Sequence, residues 1–171
     1  MKNNLKYVNT QVTFSEIPDE ISLCINISNC IHKCKGCHSP YLQKDIGNEL
    51  NPDVLDILIK ENQGITCVCF MGYGADPYAV ISLLRYIKLT YPNLKTALYT
   101  GDNEIEVEFD IIDGMFKAFC DYIKYGEYIA ELGGLDNPNT NQVMYKLEWN
   151  FPLMEKKNMN WWFQNKNTNE N

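Results

Sequence analysis

Three cysteines stand close together early in the chain, in the pattern CxxxCxxC: Cys30, Cys34 and Cys37. Iron–sulfur clusters of the [4Fe–4S] type normally take one cysteine thiolate for each iron. No fourth cysteine follows closely in the sequence, so these three thiolates would leave the fourth iron open to a ligand that is not protein. The spacing therefore predicts a [4Fe–4S] cluster that performs chemistry at an open iron, rather than one that only stores an electron.

Zinc is the alternative occupant, because the three cysteines together with His32 or His38 would supply four ligands. Adjacent Cys37 and His38 reach one ion with difficulty, and structural zinc sites usually pair two separated ligand pairs. Ordinary buried thiols are a second alternative. The flanking residues Lys33 and Lys35 do not favour a core position. The cluster is the preferred interpretation.

The overall charge limits the classes of partner. The net charge is −7 and the isoelectric point is about 4.8. A protein that binds nucleic acid needs a basic face to neutralise phosphates, and attachment to anionic lipid also needs basic residues. No apolar run approaches the roughly 20 residues that a membrane-spanning helix requires. We therefore expect neither nucleic acid nor a membrane among the partners.

The start of the chain and its cysteine count bear on location and organisation. Residues 1–6 lack the apolar stretch of a secretory signal, and seven cysteines are an odd number. Both observations favour reduced thiols in a cytoplasmic protein over a disulfide framework.

With 171 residues the chain can build a full core. We expect a single domain over residues 1–164 and a disordered tail over 165–171, which has nothing apolar to bury.

Local patterns predict strands alternating with helices. Residues 21–27 alternate apolar with small polar side chains, as a strand does, and lead directly into the cysteine segment. Asn51, Pro52 and Asp53 are typical of a helix start, and Gly64 is typical of its end. The remaining predicted elements are a second helix that ends before Pro92 and strands at 65–71, 94–99, 109–112, 119–123 and 143–147.

This alternation is typical of α/β proteins with a largely parallel sheet. Ligand sites in such sheets gather at the carboxyl ends of the strands. The cysteine segment and the loop 72–77 (Gly-Tyr-Gly-Ala-Asp-Pro) each follow a predicted strand. We therefore expect the two loops to form one shared site.

Several segments together carry a resemblance to a known family. The segments are 21–41, which contains the CxxxCxxC motif, then 64–72, 95–101, 121–126, 133–136 and 140–145. The cysteine motif alone resembles that of the radical S-adenosylmethionine (SAM) enzymes. The later segments narrow the resemblance to the activating proteins of anaerobic ribonucleoside-triphosphate reductase. The similarity covers roughly residues 14–147.

The resemblance implies a fold, two cofactors and two partners. The fold would be an incomplete (β/α) barrel of the radical SAM type, and the cofactors would be a [4Fe–4S] cluster and SAM. In that family an electron from the reduced cluster cleaves SAM to methionine and a 5′-deoxyadenosyl radical, which removes a hydrogen from a backbone glycine of the reductase. The partners would be the glycyl-radical subunit of that reductase and an external one-electron donor.

Two functional alternatives stay open. The chain could activate another glycyl-radical enzyme, such as a formate lyase, although relatives of that kind usually carry extra length or additional cluster segments. It could also be a non-catalytic iron–sulfur or zinc module that only binds a partner or carries electrons.

The resemblance also assigns SAM contacts to the loop that contains Gly74, Ala75 and Asp76. The family usually has two glycines, an acidic residue and proline there, and Ala75 replaces the second glycine. That change would matter if the position needs a positive φ. The Asp76 carboxylate would accept from the ammonium group of SAM. Alternatively, Asp76 only caps the second helix, because Pro77 follows it.

Further contacts are expected near the adenine part of SAM. Gly36 and His38, on either side of Cys37, would shape that side of the cluster loop, although His38 could equally be an exposed residue with no task. Asn141 and Gln142 match a family Asn-Gln pair that would bind SAM or line the opening for the partner. The alternative is that their side chains bond turn backbone.

The other four cysteines lie in or beside predicted strands: Cys24, Cys67, Cys69 and Cys120. Apolar strand context favours buried, inert thiols at all four positions. Cys67 and Cys69 form a CxC pair on one face of a strand. We prefer a core role for that pair over a metal site.

Overall fold

The computed structural model describes residues 5–104, 111–150 and 153–165. Its strands are β1 (Lys6–Thr13), β2 (Ser22–Ile27), β3 (Asn48–Glu49), β4 (Cys67–Met71), β5 (Lys95–Tyr99), β6 (Tyr122–Tyr125), β7 (Val143–Asn150) and β8 (Leu153–Asn158). Its helices are α1 (Pro52–Glu61), α2 (Pro77–Thr90), α3 (Ile111–Phe119) and α4 (Asn160–Gln164), with a short 3-10 helix at Pro40–Gln43. Within these ranges, each helix is too short or too polar to cross a lipid bilayer.

The eight strands form one mixed sheet in the order β3-β1-β2-β4-β5-β6-β7-β8. The three pairings among β2, β4, β5 and β6 are parallel. The four flanking pairings are antiparallel. The prediction of a largely parallel sheet in an incomplete (β/α) barrel of the radical SAM type is therefore wrong.

The connections explain this mixed sheet. Parallel neighbours need a long crossover, usually a helix, and α1, α2 and α3 each lie between two of the parallel strands. The segment 14–21 between β1 and β2 contains no helix, and neither does the segment 126–142 between β6 and β7. These strands therefore return alongside their neighbours in the antiparallel direction.

Most of the predicted elements are present, and the helix starts are confirmed in detail. The Asn51 side chain accepts a hydrogen bond from the Val54 N–H at 3.0 Å and so caps α1. The strand predicted over 109–112 is wrong where the structure describes it, because Ile111 begins α3. Residues 109 and 110 lie outside the described residues, as do 166–171 of the predicted disordered tail.

Helical spacing explains the missed helix. Ile112, Phe116 and Phe119 of α3 recur every three or four residues and contact the core. Phe119 therefore belongs to this helix, and the strand predicted from 119 begins at Tyr122 instead.

The two faces of the sheet are covered differently. Helices α1, α2 and α3 pack on one face, where Leu55, Leu84 and Phe116 join the buried strand residues of the larger core cluster. The opposite face carries a smaller cluster. Its members are Ile17, Cys24, Cys67, Cys69, Ala97, Tyr122, Leu135, Met144, Met159 and Phe163. Because α4 and loops cover this second face, it has room for a cavity at one end.

Candidate functional site

A cavity of about 310 Å³ opens at the carboxyl ends of the parallel strands. Its floor contains one row of residues paired in register across β2, β4, β5 and β6: Asn26, Met71, Tyr99 and Lys124. We call these four residues the floor row. Alternate residues of a strand share a face, and the floor row lies two positions beyond members of the smaller core cluster. The cavity therefore lies on the face opposite α1, α2 and α3.

The cysteine segment forms one wall of this cavity. Cys30, Cys34 and Cys37 all line it, and each is half-buried with a free thiol. We call these three residues the loop cysteines. The backbone N–H of Cys30 donates to the carbonyl of Leu42 at 3.0 Å, which closes the segment into a loop beside β2. The sequence predicts that the cysteine segment and the loop 72–77 share a site, and residues 72–74 do line the same cavity. Ala75 and Asp76 are not among the described residues that line it.

The backbone of this loop takes unusual conformations. Asn29 and Lys33 have φ values of 58° and 50°. These values lie in the left-handed region, which residues other than glycine rarely adopt. Gly36, with φ 75°, lies in a turn where the Cys37 N–H donates to the Cys34 carbonyl at 3.3 Å. A positive φ at the third position of a turn favours glycine. Such strain concentrates at functional sites.

The thiols suit a cluster in one respect. The Ser39 N–H donates to the Cys37 Sγ at 3.4 Å, the kind of bond that tunes cluster sulfurs. Within the described ranges, no three His, Cys, Asp or Glu side chains converge closely enough to bind a single metal ion. The cysteines of a four-iron cluster bind different irons. They must therefore face a common space rather than a common point, and the loop cysteines do face one cavity.

The three candidate residues of the loop after β4 have different structural roles. Gly74 lines the cavity with φ 64°, and an added Cβ would lie 2.6 Å from the Ser28 carbonyl oxygen, so the position requires glycine. Ala75 is exposed and has no positive φ, so its replacement of a glycine does not strain the backbone. Asp76 Oδ1 accepts from the Ala79 N–H at 3.0 Å and caps α2. The predicted capping role is therefore present.

Of the two SAM contacts predicted beside Cys37, one lines the cavity and the other does not. Gly36 is exposed and is not among the described residues that line the cavity. His38 lines the cavity, and the centroid of its ring lies 4.5 Å from that of Tyr128, another lining residue. The two rings form an aromatic pair at the rim.

Asn141 and Gln142 bond backbone, as the alternative interpretation predicted. The Asn141 amide donates to the carbonyl of Glu127 at 2.9 Å. The Gln142 amide donates to the carbonyls of Gly126 and Glu127 at 3.4 and 3.3 Å. Gln142 is also buried and lines the cavity. Its side chain therefore fixes the loop that follows β6 at the edge of the site.

An aspartate that the sequence analysis did not single out connects the cysteine loop to the sheet. Asp102 accepts hydrogen bonds from the Tyr73 hydroxyl at 3.1 Å and the Thr100 hydroxyl at 2.6 Å. Its Oδ1 also lies 3.6 Å from His32 Nε2. Burial and the Asp102 charge together raise the pKa of Tyr73, which therefore stays a neutral donor. A signal was present, because Asp102 directly follows a predicted strand and a glycine.

Lys124 is the second functional candidate that the sequence analysis missed. It belongs to the floor row and is only 7% exposed. Its ammonium donates to the Gly126 carbonyl at 2.5 Å. Burial lowers its pKa to about 8, although the Cys34 thiol acts in the opposite direction. The available signal was a lysine between the apolar residues Ile123 and Tyr125, since lysine is almost never fully buried without a partner.

Cys24, Cys67, Cys69 and Cys120 are buried, as predicted. Burial raises the pKa of the Cys67 and Cys69 thiols well above the ordinary value. We call Cys24, Cys67 and Cys69 the strand cysteines, because all three lie on strands in the smaller core cluster. They pack beneath the floor row and do not reach the cavity in the described part of the chain.

No protein-family model, curated protein or solved structure matches this chain. The cysteine motif and the geometry of the cavity therefore carry the information about function.

Proposed function

We propose that this chain is a radical SAM activating enzyme that generates a glycyl radical on anaerobic ribonucleoside-triphosphate reductase. One observation supports the proposal most strongly: three free thiols in the pattern CxxxCxxC line a single cavity at the carboxyl ends of parallel strands. The proposal concerns the site and not a barrel, because the sheet is mixed.

The donor set fits a [4Fe–4S] cluster with three protein ligands. Cys30, Cys34 and Cys37 would hold it, and the Ser39 N–H already donates to one of their sulfurs. When bound, such a cluster supplies one electron to the sulfonium of SAM at its open iron.

The rest of the cavity suits a small molecule with polar and aromatic parts. Its volume of about 310 Å³ lies at the lower end of the range for ligand sites. His38 and Tyr128 offer aromatic faces for the adenine ring at the rim. Gly74 lets the backbone of the loop approach a ligand closely, because no Cβ fits there. These residues position a ligand beside the loop cysteines.

The proposal includes an external one-electron donor and a cytoplasmic location. Free thiols half-exposed at a cavity persist in a reducing compartment and are oxidised elsewhere. The partner's glycine would have to reach the cavity from its rim, on the side of the exposed His38.

Anaerobic reconstitution with iron and sulfide tests this function. The reconstituted chain is mixed with SAM, dithionite and a candidate reductase, and the mixture without SAM is the control. We expect 5′-deoxyadenosine and the doublet of a glycyl radical in the electron paramagnetic resonance spectrum. A cluster that leaves SAM intact would instead identify a non-catalytic module. SAM cleavage with a radical only on another glycyl-radical enzyme, such as a formate lyase, would refute the assigned partner.

Asp76 offers a sharper test of the SAM site. Its Oδ1 caps α2, and Oδ2 accepts no hydrogen bond from the described residues. Asp76 is not among the described residues that line the cavity, although Gly74 of the same loop is. The family resemblance alone therefore assigns Oδ2 to the SAM ammonium. Asp76→Asn keeps an equally good cap but removes the charge. We expect SAM to bind about tenfold more weakly, as the loss of one charge-assisted hydrogen bond implies.

The matched control is Asp76→Ala, which should in addition lower the free energy of unfolding by about 1 kcal/mol through loss of the cap. Equilibrium dialysis measures the binding, and urea unfolding measures the stability. If Asp76→Asn binds SAM as tightly as the unmodified chain, Asp76 acts only as a cap.

A further inference from the structure

Lys124 is a buried lysine in the floor of the cavity. It lies in β6 between two buried residues, and its backbone pairs with Tyr99 of the neighbouring strand. Its side chain is 7% exposed and lines the same cavity as the loop cysteines. Sheet register therefore fixes an ammonium group in the floor of the site.

Among the described residues, no protein anion pairs with this ammonium. It has three N–H donors, and one of them is directed to the Gly126 carbonyl at 2.5 Å. None of the ion pairs among the described residues includes Lys124. A buried charge is costly unless an opposite charge accompanies it. The lowered pKa of Lys124, about 8, reflects that desolvation.

The loop cysteines line the same cavity as Lys124, and each has a free thiol. A cysteine binds metal as the thiolate, which carries a negative charge. The other groups that line the floor, Asn26, Met71 and Tyr99, carry no negative charge in their ordinary states. An anion held by the loop cysteines would therefore complete the electrostatics of the floor row.

We propose that Lys124 is a positioning residue that provides the counter-charge of an iron–sulfur cluster held by Cys30, Cys34 and Cys37. This inference rests on the proposed function, since it requires the cluster. Net charge and nearby dipoles set the reduction potential of such clusters, and residues beyond the ligands tune the metal. Reduction adds one negative charge to the cluster. A fixed ammonium stabilises the reduced state and makes the cluster easier to reduce by its external donor.

The experiment compares Lys124→Met and Lys124→Gln with the unmodified chain, with Lys60→Met as the control. Methionine matches the length of lysine and suits a buried position, while the exposed Lys60 lies on α1, away from the cavity. Each protein is reconstituted anaerobically, and its iron and sulfide are counted. The midpoint potential of the cluster is then measured without SAM by titration with dithionite, monitored by electron paramagnetic resonance.

We expect both Lys124 variants to retain iron and sulfide and to show a more negative midpoint potential, whereas Lys60→Met leaves the potential unchanged. Unchanged potentials in Lys124→Met and Lys124→Gln would overturn the inference. An unchanged potential together with weaker SAM binding, measured by equilibrium dialysis on the same variants, would also overturn it and would assign the ammonium to the SAM carboxylate. Failure of the unmodified chain to assemble a cluster would instead refute the proposed function, so the two failures are distinguishable.

Discussion

Two sets of three cysteines occupy the same face of the sheet and differ in almost every other property. The loop cysteines are half-buried, lie on irregular backbone and line the cavity. The strand cysteines are buried in a core cluster, two to four residues before the floor row along their strands. One layer of side chains therefore separates thiols that face a ligand space from thiols that only pack.

The difference shows that position in the sheet decides what a thiol can do. Burial raises the pKa of the Cys67 and Cys69 thiols, which keeps them protonated and poor as nucleophiles or metal ligands. The loop cysteines follow the carboxyl end of β2, where regular hydrogen bonding ends and the left-handed residues Asn29 and Lys33 bend the chain. The same residue type therefore packs in the core at one level of the sheet and, in the proposed function, binds a cluster at the next.

Substitutions in the loop cysteines and in the strand cysteines should differ most in their effect on metal content. Cys34→Ala removes one cluster ligand, so we expect the reconstituted variant to lose the [4Fe–4S] cluster, measured as iron and sulfide per chain. Cys69→Ala is the matched control and should retain both. If Cys34→Ala holds as much iron as the unmodified chain, the ligand assignment is wrong. Loss of iron in folded Cys69→Ala would contradict the claim that only the loop cysteines bind the cluster.

The next contrast is chemical reactivity. In the metal-free folded chain at pH 8, iodoacetamide should alkylate the three loop cysteines at least about a hundredfold faster than the four buried cysteines, because the buried thiols react only after local opening. Peptide mass spectrometry over time measures each site. Labelling of Cys67 or Cys69 as fast as Cys34 would contradict the burial on which the comparison depends.

A smaller contrast should appear in stability. Cys69→Ala leaves a cavity in a fully buried site, so we expect the free energy of unfolding to fall by about 1–2 kcal/mol. Cys34→Ala in the metal-free chain removes a half-buried thiol at a cavity and should change that free energy by less than about 0.5 kcal/mol. Urea unfolding followed by circular dichroism measures both. Equal effects would mean that the loop cysteines also act as core residues.

Local signals made part of this molecule predictable. The cap at Asn51, the apolar run before Met71 and the alternation over 21–27 depend on neighbouring residues, and each predicted element is present. The cysteine segment and residues 72–74 also line one cavity, as expected from where the strands end.

Non-local pairing explains what could not be predicted. The strand β1 is largely polar and partly exposed, so its sequence pattern does not predict a strand. It nevertheless pairs with both β2 and β3 in the antiparallel direction. The floor row exists only through register across four strands. No pattern along the chain brings Asn26 beside Met71 or Tyr99 beside Lys124. The position of Lys124 in the floor of the cavity was therefore visible only in the folded chain.

Metal and sulfide analysis of the anaerobically reconstituted chain tests the central claim most directly, namely that the loop cysteines hold a cluster with one open iron. The account predicts about four irons and four sulfides per chain, with an electron paramagnetic resonance spectrum of the reduced protein that changes when SAM is added. One tightly bound zinc in place of iron and sulfide would contradict this claim. A cluster whose spectrum does not change when SAM is added would also contradict it.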